Sequence, residues 1–452
     1  MKTIIQGGTI VNEGKAFVGS IVIDGERISE VRGEESEMTA SLDDLSPVHQ
    51  IDAAGCYVLP GVIDSHVHFR EPGLTEKADI ESESMAAAAG GVTTFFDMPN
   101  TVPQTTTLEA LEQKFELASH KSHVNYSFFF GATNDNLSVF PQLNIHRIPG
   151  IKLFMGSSTG NMLVDGDETL QRIFSETPLP LMAHCEDSAI INQNMKLFKE
   201  RYGDDPPIWA HQLIRSEEAC MASTLKAFEL AVKYQTRLHI AHISTKEELE
   251  LLPQEGTAEG LITAEATVGH LMFSTVDYQR LGSRIKVNPS IKSVIDQAAL
   301  RQGLMDGRIS TIGTDHAPHL LSQKEGGCAL AASGMPSIQF ALPAVLSLVD
   351  EGVLTIERMV ELMAHNPARI FEIRHRGFLR PGYQADITIV RPQSPWTVTD
   401  HLVMSKCKWS PFEGQQFQWR VEKTFCNGHL VYDHANENEM QKERYGQPVL
   451  FR

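Results

Sequence analysis

Paired cysteines are missing from this chain. Its six cysteines, Cys56, Cys185, Cys220, Cys328, Cys407 and Cys426, are scattered, and no Cys-x-x-Cys occurs. That pattern points away from a disulfide framework and toward a reduced, cytoplasmic protein. Basic residues are also in short supply: 39 Lys and Arg face 57 Asp and Glu, a formal net charge of −18. A nucleic-acid partner needs a basic footprint, so that class is excluded. The same charge repels an anionic substrate at long range. Screening over roughly 8 Å at physiological salt still lets one arginine dominate inside a pocket. No apolar run approaches a membrane span, and the opening Met1-Lys-Thr-Ile-Ile-Gln lacks the apolar stretch of a secretion signal. Low-complexity tracts and internal repeats are absent as well.

What is present is a strand pattern that changes twice. Thr3 to Val11 and Gly19 to Val31 read as small β-strands with an Asp24-Gly25 turn, and the polar stretch Gly33 to Asp44 reads as a loop. From Tyr57 strands alternate with helices. The expected strands are Tyr57 to Ile63, Gly91 to Asp97, Val124 to Phe130, Ile151 to Met155, Leu179 to His184, Leu238 to His242, Leu261 to Ala266 and Ile309 to Asp315. A helix is expected over Thr75 to Ala89, stopped by Gly90-Gly91, and another over Ile356 to His365, ended by a turn at Asn366-Pro367. Eight strands interleaved with helices give an α/β fold, a (β/α)8 TIM-type barrel. β patterns resume at Ala385 to Val390 and Thr424 to Tyr432. Either terminal piece has too few strands to stand alone, so they are expected to pair into one small β-sandwich. The expected division is 1–56, 57–370 and 371–452, the first and last parts forming the sandwich.

Asp64-Ser-His-Val-His-Phe-Arg70 sets two histidines one residue apart at the end of the first apolar run. Residues i and i+2 of a strand share a face, so His66 and His68 project together, and Arg70 extends the row with a cation. Imidazole suits zinc; a guanidinium suits a carboxylate. The alternative for Arg70 is a surface ion pair with Glu71. Lys152, His184, His242 and Asp315 recur in the same setting, a polar residue at or near the C-terminal end of an expected strand. Barrel active sites lie at those ends.

Together these residues resemble the amidohydrolase superfamily, most closely the dihydroorotases among its cyclic amidohydrolases. The motifs that carry the resemblance are Pro60-Gly-Val-Ile-Asp-Ser-His-Val-His-Phe-Arg-Glu-Pro-Gly73, Asp97-Met-Pro-Asn-Thr101, Lys152-Leu-Phe-Met-Gly156, Ala183-His-Cys-Glu186, His239-Ile-Ala-His-Ile-Ser244, Gly313-Thr-Asp-His-Ala-Pro-His319 and Asn366-Pro-Ala-Arg-Ile-Phe371. The resemblance implies that His66, His68 and Asp315 hold one divalent metal, zinc, and that His184 and His242 hold a second. Lys152, carboxylated on its side-chain nitrogen, would bridge the two. It further implies a hydroxide shared by the metals as nucleophile and Asp315 as proton carrier. Arg70, Asn100 and His319 match the positions that bind a substrate carboxylate, and Asn288 matches a residue that touches the ring. The implied reaction interconverts L-dihydroorotate and N-carbamoyl-L-aspartate in pyrimidine synthesis. The partner is then a small molecule, with neither nucleic acid nor membrane, and homo-oligomerisation is left open. A hydantoinase- or allantoinase-type enzyme and an inactive scaffold are the alternatives. Two places depart from the family pattern: Gly334-Met-Pro336 stands where Gly-Leu-Glu is common, and Asn288-Pro-Ser290 where Asn-Pro-Pro is common. A loop between Gly326-Gly327 and Ser333-Gly334 is expected to close over substrate. His270 and His316 are expected to be structural.

Overall fold

Burial alternates along Lys2–Asn12 on either side of an irregularity at Gln6 to Gly8, with Ile5 and Ile10 almost wholly covered. It pairs antiparallel with Lys15–Asp24, which pairs in turn with Arg27–Gly33 across the Asp24-Gly25 turn. The same strand pairs in parallel with Val48–Asp52 near its start and with Tyr57–Pro60 further along. The C-terminal strands Ile387–Arg391, Arg420–Cys426 and His429–Asp433 complete an eight-stranded sheet drawn from both chain ends. Ile5, Ile21, Ile28, Ile51, Val58, Ile387 and Phe425 fill its core. The computed structural model describes residues 2–33, 48–156, 162–254, 256, 258–439 and 443–452. The expected polar loop, past Gly33, lies outside the described residues.

The expected strand Tyr57 to Ile63 is two strands. Tyr57–Pro60 belongs to the terminal sheet, and Val62–Val67 opens the barrel. Parallel pairing then runs through Val92–Asp97, Asn125–Phe128 with its continuation Phe130–Gly131, Ile151–Phe154, Leu181–His184, Leu238–Ile240, Ile262–Thr267 and Thr311–Gly313. A parallel bridge between Val67 and His316 closes the ring. The first two strands are buried at every position, as expected where helices cover a parallel sheet. The barrel and the terminal sheet meet at Gly91: its φ is +80°, and a Cβ there would lie 2.6 Å from the Thr388 methyl.

Two helix boundaries differ from expectation. The first helix starts at Ile80, not Thr75, because Asp79 caps it by accepting from the Ser82 N–H at 2.9 Å, reciprocated by the Ser82 hydroxyl. Asn366-Pro367 does not end a helix. Ile356–Val360 runs on through a wider turn at Glu361–His365 into Asn366–Ile370, where Pro367 occupies a first-turn position that needs no N–H donor. No helix among the described residues is long and apolar enough to cross a membrane.

Candidate active site and metal centre

The barrel delivers its polar strand-end residues to one place. His66 lies near the end of the first strand and His68 just beyond it; Lys152 lies within the fourth; His184 closes the fifth; His242 and Asp315 follow the sixth and eighth. Arg70, His242 and Asp315 have φ of 69°, 37° and 47°, the left-handed region that residues with a Cβ rarely adopt. Such a backbone costs ~1–3 kcal/mol at each position and persists where surrounding structure enforces it.

Donor atoms converge here with too few protons between them. Nε2 of His68 lies 2.9 Å and Nε2 of His66 lies 3.5 Å from Oδ1 of Asp315, and the three residues present ligand atoms within 4.8 Å of one another. The far nitrogens are already engaged: Nδ1 of His66 with Oε1 of Glu265 at 2.7 Å, and Nδ1 of His68 with Oδ1 of Asn100 at 2.7 Å. With those N–H groups donating outward, two imidazole lone pairs face a carboxylate. The pattern repeats at His184. His184 meets the Glu186 carboxylate through Nε2 at 2.9 Å and turns Nδ1 toward Nε2 of His242 at 2.8 Å, while the buried Nδ1 of His242 has no hydrogen-bond partner. Lys152 is fully buried, its Nζ 3.5 Å from Nε2 of His66, and it pairs with no carboxylate among the described residues. Inward lone pairs with outward N–H groups fixed by acceptors are the arrangement that receives a divalent cation.

The charge states agree with that reading. Burial, then the Lys152 ammonium, holds His66 far below its ordinary value, and burial followed by His184 does the same to His242. Burial also lowers His184, against the pull of Glu186. Burial pushes Asp315 up, but His66, His68 and Lys152 outweigh it and hold the carboxyl well below the usual range. Burial lowers the Lys152 ammonium to about 8, against the attraction of Glu265 and Asp315. Neutral imidazoles at His66, His184 and His242, an ionised Asp315 and a partly deprotonated Lys152 result.

A cavity of about 460 Å³ opens above this cluster, and Arg70, Asn100, Asn288 and His319 all line it. Arg70 makes no ion pair with Glu71, whose carboxylate pairs with Lys121 and caps the Ile80 N–H. Instead its Nε donates to the Pro318 carbonyl at 3.0 Å and its NH2 meets Nε2 of His319 at 3.0 Å. One edge of the guanidinium is therefore fixed to the protein, and the end-on edge remains for a carboxylate. Burial lowers Arg70 to about 10, so it stays charged at neutral pH. Burial, Arg70 and Lys77 push His319 far down, keeping it neutral, and its buried Nδ1 has no partner. Oδ1 of Asn288 is likewise buried and unpartnered.

The loop expected to cover substrate does border the cavity through Ala329 and Ala331 to Gly334. Asp205 holds its near side by accepting from the N–H groups of Gly327, Ala329 and Leu330 at 2.6, 2.8 and 3.1 Å. Lys286 and Lys324 hold its inner side, their ammoniums donating to carbonyls of Cys328, Ala331, Ala332 and Gly334. Where the sequence departs from the family pattern, the Gly334 N–H donates to the Lys286 carbonyl at 2.8 Å, and the Ser290 hydroxyl donates to the Arg215 carbonyl at 3.0 Å.

His270 and His316, expected to be structural, are both held by neighbouring groups. Nε2 of His270 reaches the Pro289 carbonyl, and His316 links Glu83 to the Ser337 N–H. Sequence reasoning missed Glu265, Glu186 with its partner Arg215, and Lys77. Glu265 alone left a signal, a carboxylate inside the apolar seventh strand.

Comparison with known proteins agrees with the geometry. Residues 57–431 match the amidohydrolase family. The chain is 33% identical over 392 residues to a dihydroorotase of Methanosphaera stadtmanae, covering 85% of this chain and 87% of that one. It is 36% identical over 395 residues to a dihydroorotase of Methanosarcina mazei, covering 84% and 85%. It is 31% identical to one from Lactobacillus gasseri, covering 97% of this chain and 100% of that one. Among solved structures, an L-hydantoinase (dihydropyrimidinase) from Arthrobacter aurescens superposes with a TM-score of 0.90 at 27% identity, covering 99% of both chains. The barrel with its terminal sandwich is thus shared with solved relatives, and across most of its length this chain belongs to the amidohydrolase family.

Proposed function

We propose that this protein is a metal-dependent dihydroorotase, interconverting L-dihydroorotate and N-carbamoyl-L-aspartate. The observation that carries this reading is the buried Arg70, whose free guanidinium edge lines the same cavity as the cluster of His66, His68, Lys152, His184, His242 and Asp315. A hydrolytic centre for a neutral cyclic amide has no need of that cation. The dihydroorotases among the relatives support the same assignment.

His66, His68 and Asp315 would hold one divalent cation, and His184 and His242 a second. Lys152 would bridge them after its neutral amine adds to CO2 and loses a proton, giving a carbamate. Zinc suits this nitrogen and oxygen donor set. Bound there, the cations supply Lewis acidity and lower the pKa of water. The remaining work belongs to the side chains. Arg70, the Asn100 amide and His319 orient the substrate carboxylate, and Asn288 faces the ring. Asp315 presents Oδ1 to His66 and His68, while Oδ2 makes no hydrogen bond to a described residue. That oxygen takes a proton from the attacking water and returns it to the ring nitrogen as the C–N bond breaks; ring closure reverses the path.

The structural likeness to an L-hydantoinase favours one rival, a cyclic amidohydrolase acting on neutral rings. Assay of the metal-loaded enzyme on dihydroorotate and dihydrouracil, with metal analysis, separates the two. The expected result is clear preference for dihydroorotate by protein containing metal. Preference for dihydrouracil would replace this reading with the rival, and an inactive metal-free protein would replace it with a scaffold.

A further inference from the structure

Among the described residues the cavity is lined by five basic side chains, Arg70, Lys77, Lys152, Arg215 and Lys286, against a single carboxylate, Asp315. In a chain of net charge −18 that local excess needs an explanation. Three of the five have structural partners. Arg215 pairs with the buried Glu186, Lys286 donates to loop carbonyls, and Arg70 is tied along one edge to Pro318 and His319. Lys152 belongs to the metal cluster. Lys77 remains, and its ammonium makes no hydrogen bond or ion pair with any described residue.

The backbone brings Lys77 back toward Arg70. The Leu74 N–H donates to the Arg70 carbonyl at 3.0 Å and the Lys77 N–H to the Leu74 carbonyl at 3.1 Å, two turns in succession. Capping of the following helix by Asp79 and the Glu71 carboxylate fixes where that stretch ends. Burial lowers Lys77, and the charge of Arg70 lowers it further. Lys77 and Arg70 thus line the same cavity as the neutral His319, near enough for each charge to act on the other. An anion between them would turn that mutual repulsion into attraction on both sides.

Resting on the dihydroorotase reading, we propose that Lys77 is the second cation of the carboxylate subsite. The substrate carboxylate sits between the end-on edge of Arg70 and the Lys77 ammonium. Arg70 sets its orientation through paired hydrogen bonds, while Lys77 acts as a point charge at the cavity wall. The carboxylate bears the same charge throughout the reaction, so this contact strengthens ground state and transition state alike. Its loss therefore appears in KM.

The test compares wild type, Lys77→Met and Lys77→Arg, all metal-loaded, on dihydroorotate and dihydrouracil at low and high ionic strength. The expected result for Lys77→Met is a KM for dihydroorotate raised about tenfold, as for loss of one charge-assisted contact. Its kcat changes far less, its salt dependence flattens, and metal content and melting temperature stay at wild-type values. Lys77→Arg should recover most of the affinity. Dihydrouracil kinetics should not follow the charge at this position. An active wild type beside a Lys77→Met variant with unchanged KM and salt dependence overturns this proposal alone, as does equal damage to the neutral ring. A wild type that leaves dihydroorotate untouched overturns the parent reading and this proposal with it.

Discussion

Nδ1 of His66 lies 2.7 Å from Oε1 of Glu265, a carboxylate with no solvent exposure on the seventh barrel strand. The eighth strand lies between them in the ring, so the contact reaches past one strand on the inside of the barrel. It turns Nδ1 of His66 outward and leaves Nε2 facing Asp315.

Glu265 should therefore control metal affinity without touching metal. Loss of such an outer partner typically weakens binding ~10–100-fold. Glu265→Gln keeps an acceptor but removes the charge, and it should lose metal to a competing chelator within that range while remaining folded. Chelator titration reads this directly. An affinity equal to wild type would make Glu265 a packing residue only.

Lys152→Ala should lose metal and reduce turnover by at least about 100-fold, more than the ~10–100-fold of an outer partner. A short carboxylic acid in solution should restore part of both by filling the vacated bridge. Isotope-labelled bicarbonate should give the wild type, and not the variant, a carbamate resonance. An active, metal-loaded wild type without that resonance would contradict the carbamate assignment.

Much of this site was legible because a parallel barrel places functional side chains where strands end. His66, His68, Lys152, His184, His242 and Asp315 each sit at or near the end of an apolar run, and the row His66, His68, Arg70 needed only the two-residue period of a strand. Tyr57 to Ile63 was misread because an apolar run carries no mark where one sheet hands the chain to another. Here the change falls at Gly61, where a Cβ would strike Thr93. Asn366-Pro367 looked like a stop because proline breaks a helix interior; at the start of a new segment it is tolerated. Arg215 and Lys77 left little trace, because the meaning of Arg215 depends on a partner distant in sequence and that of Lys77 on having none among the described residues.

The loop beside the cavity supplies a pH prediction. Burial pushes the Asp205 carboxyl up, but the N–H groups of Gly327, Ala329 and Leu330 outweigh it, and the folded value falls below the ordinary 3.8. A depressed carboxyl stabilises the fold fully above its unfolded value and loses that contribution as pH falls through the folded one. The tether should be intact at neutral pH and released only below about pH 4. Asp205→Ala should release it at neutral pH. KM should rise about two- to twelvefold, the equivalent of the ~0.5–1.5 kcal/mol that a hydrogen bond contributes. Hydrogen exchange should quicken over residues 326–334. Unchanged exchange there would show that Lys286 and Lys324 hold the loop by themselves.

The central claim is that a carboxylate-binding arginine beside a metal centre selects an anionic ring, and the kinetics of Arg70→Met on dihydroorotate and dihydrouracil test it most directly. A hydrogen bond to a charged partner contributes ~1.5–3 kcal/mol. At ~1.4 kcal/mol per decade, the variant should lose roughly ten- to hundred-fold in kcat/KM for dihydroorotate. Activity on dihydrouracil, poor from the start, should scarcely change, and metal content should match wild type. Intact dihydroorotate kinetics in Arg70→Met, or a wild type that prefers dihydrouracil, would contradict the account.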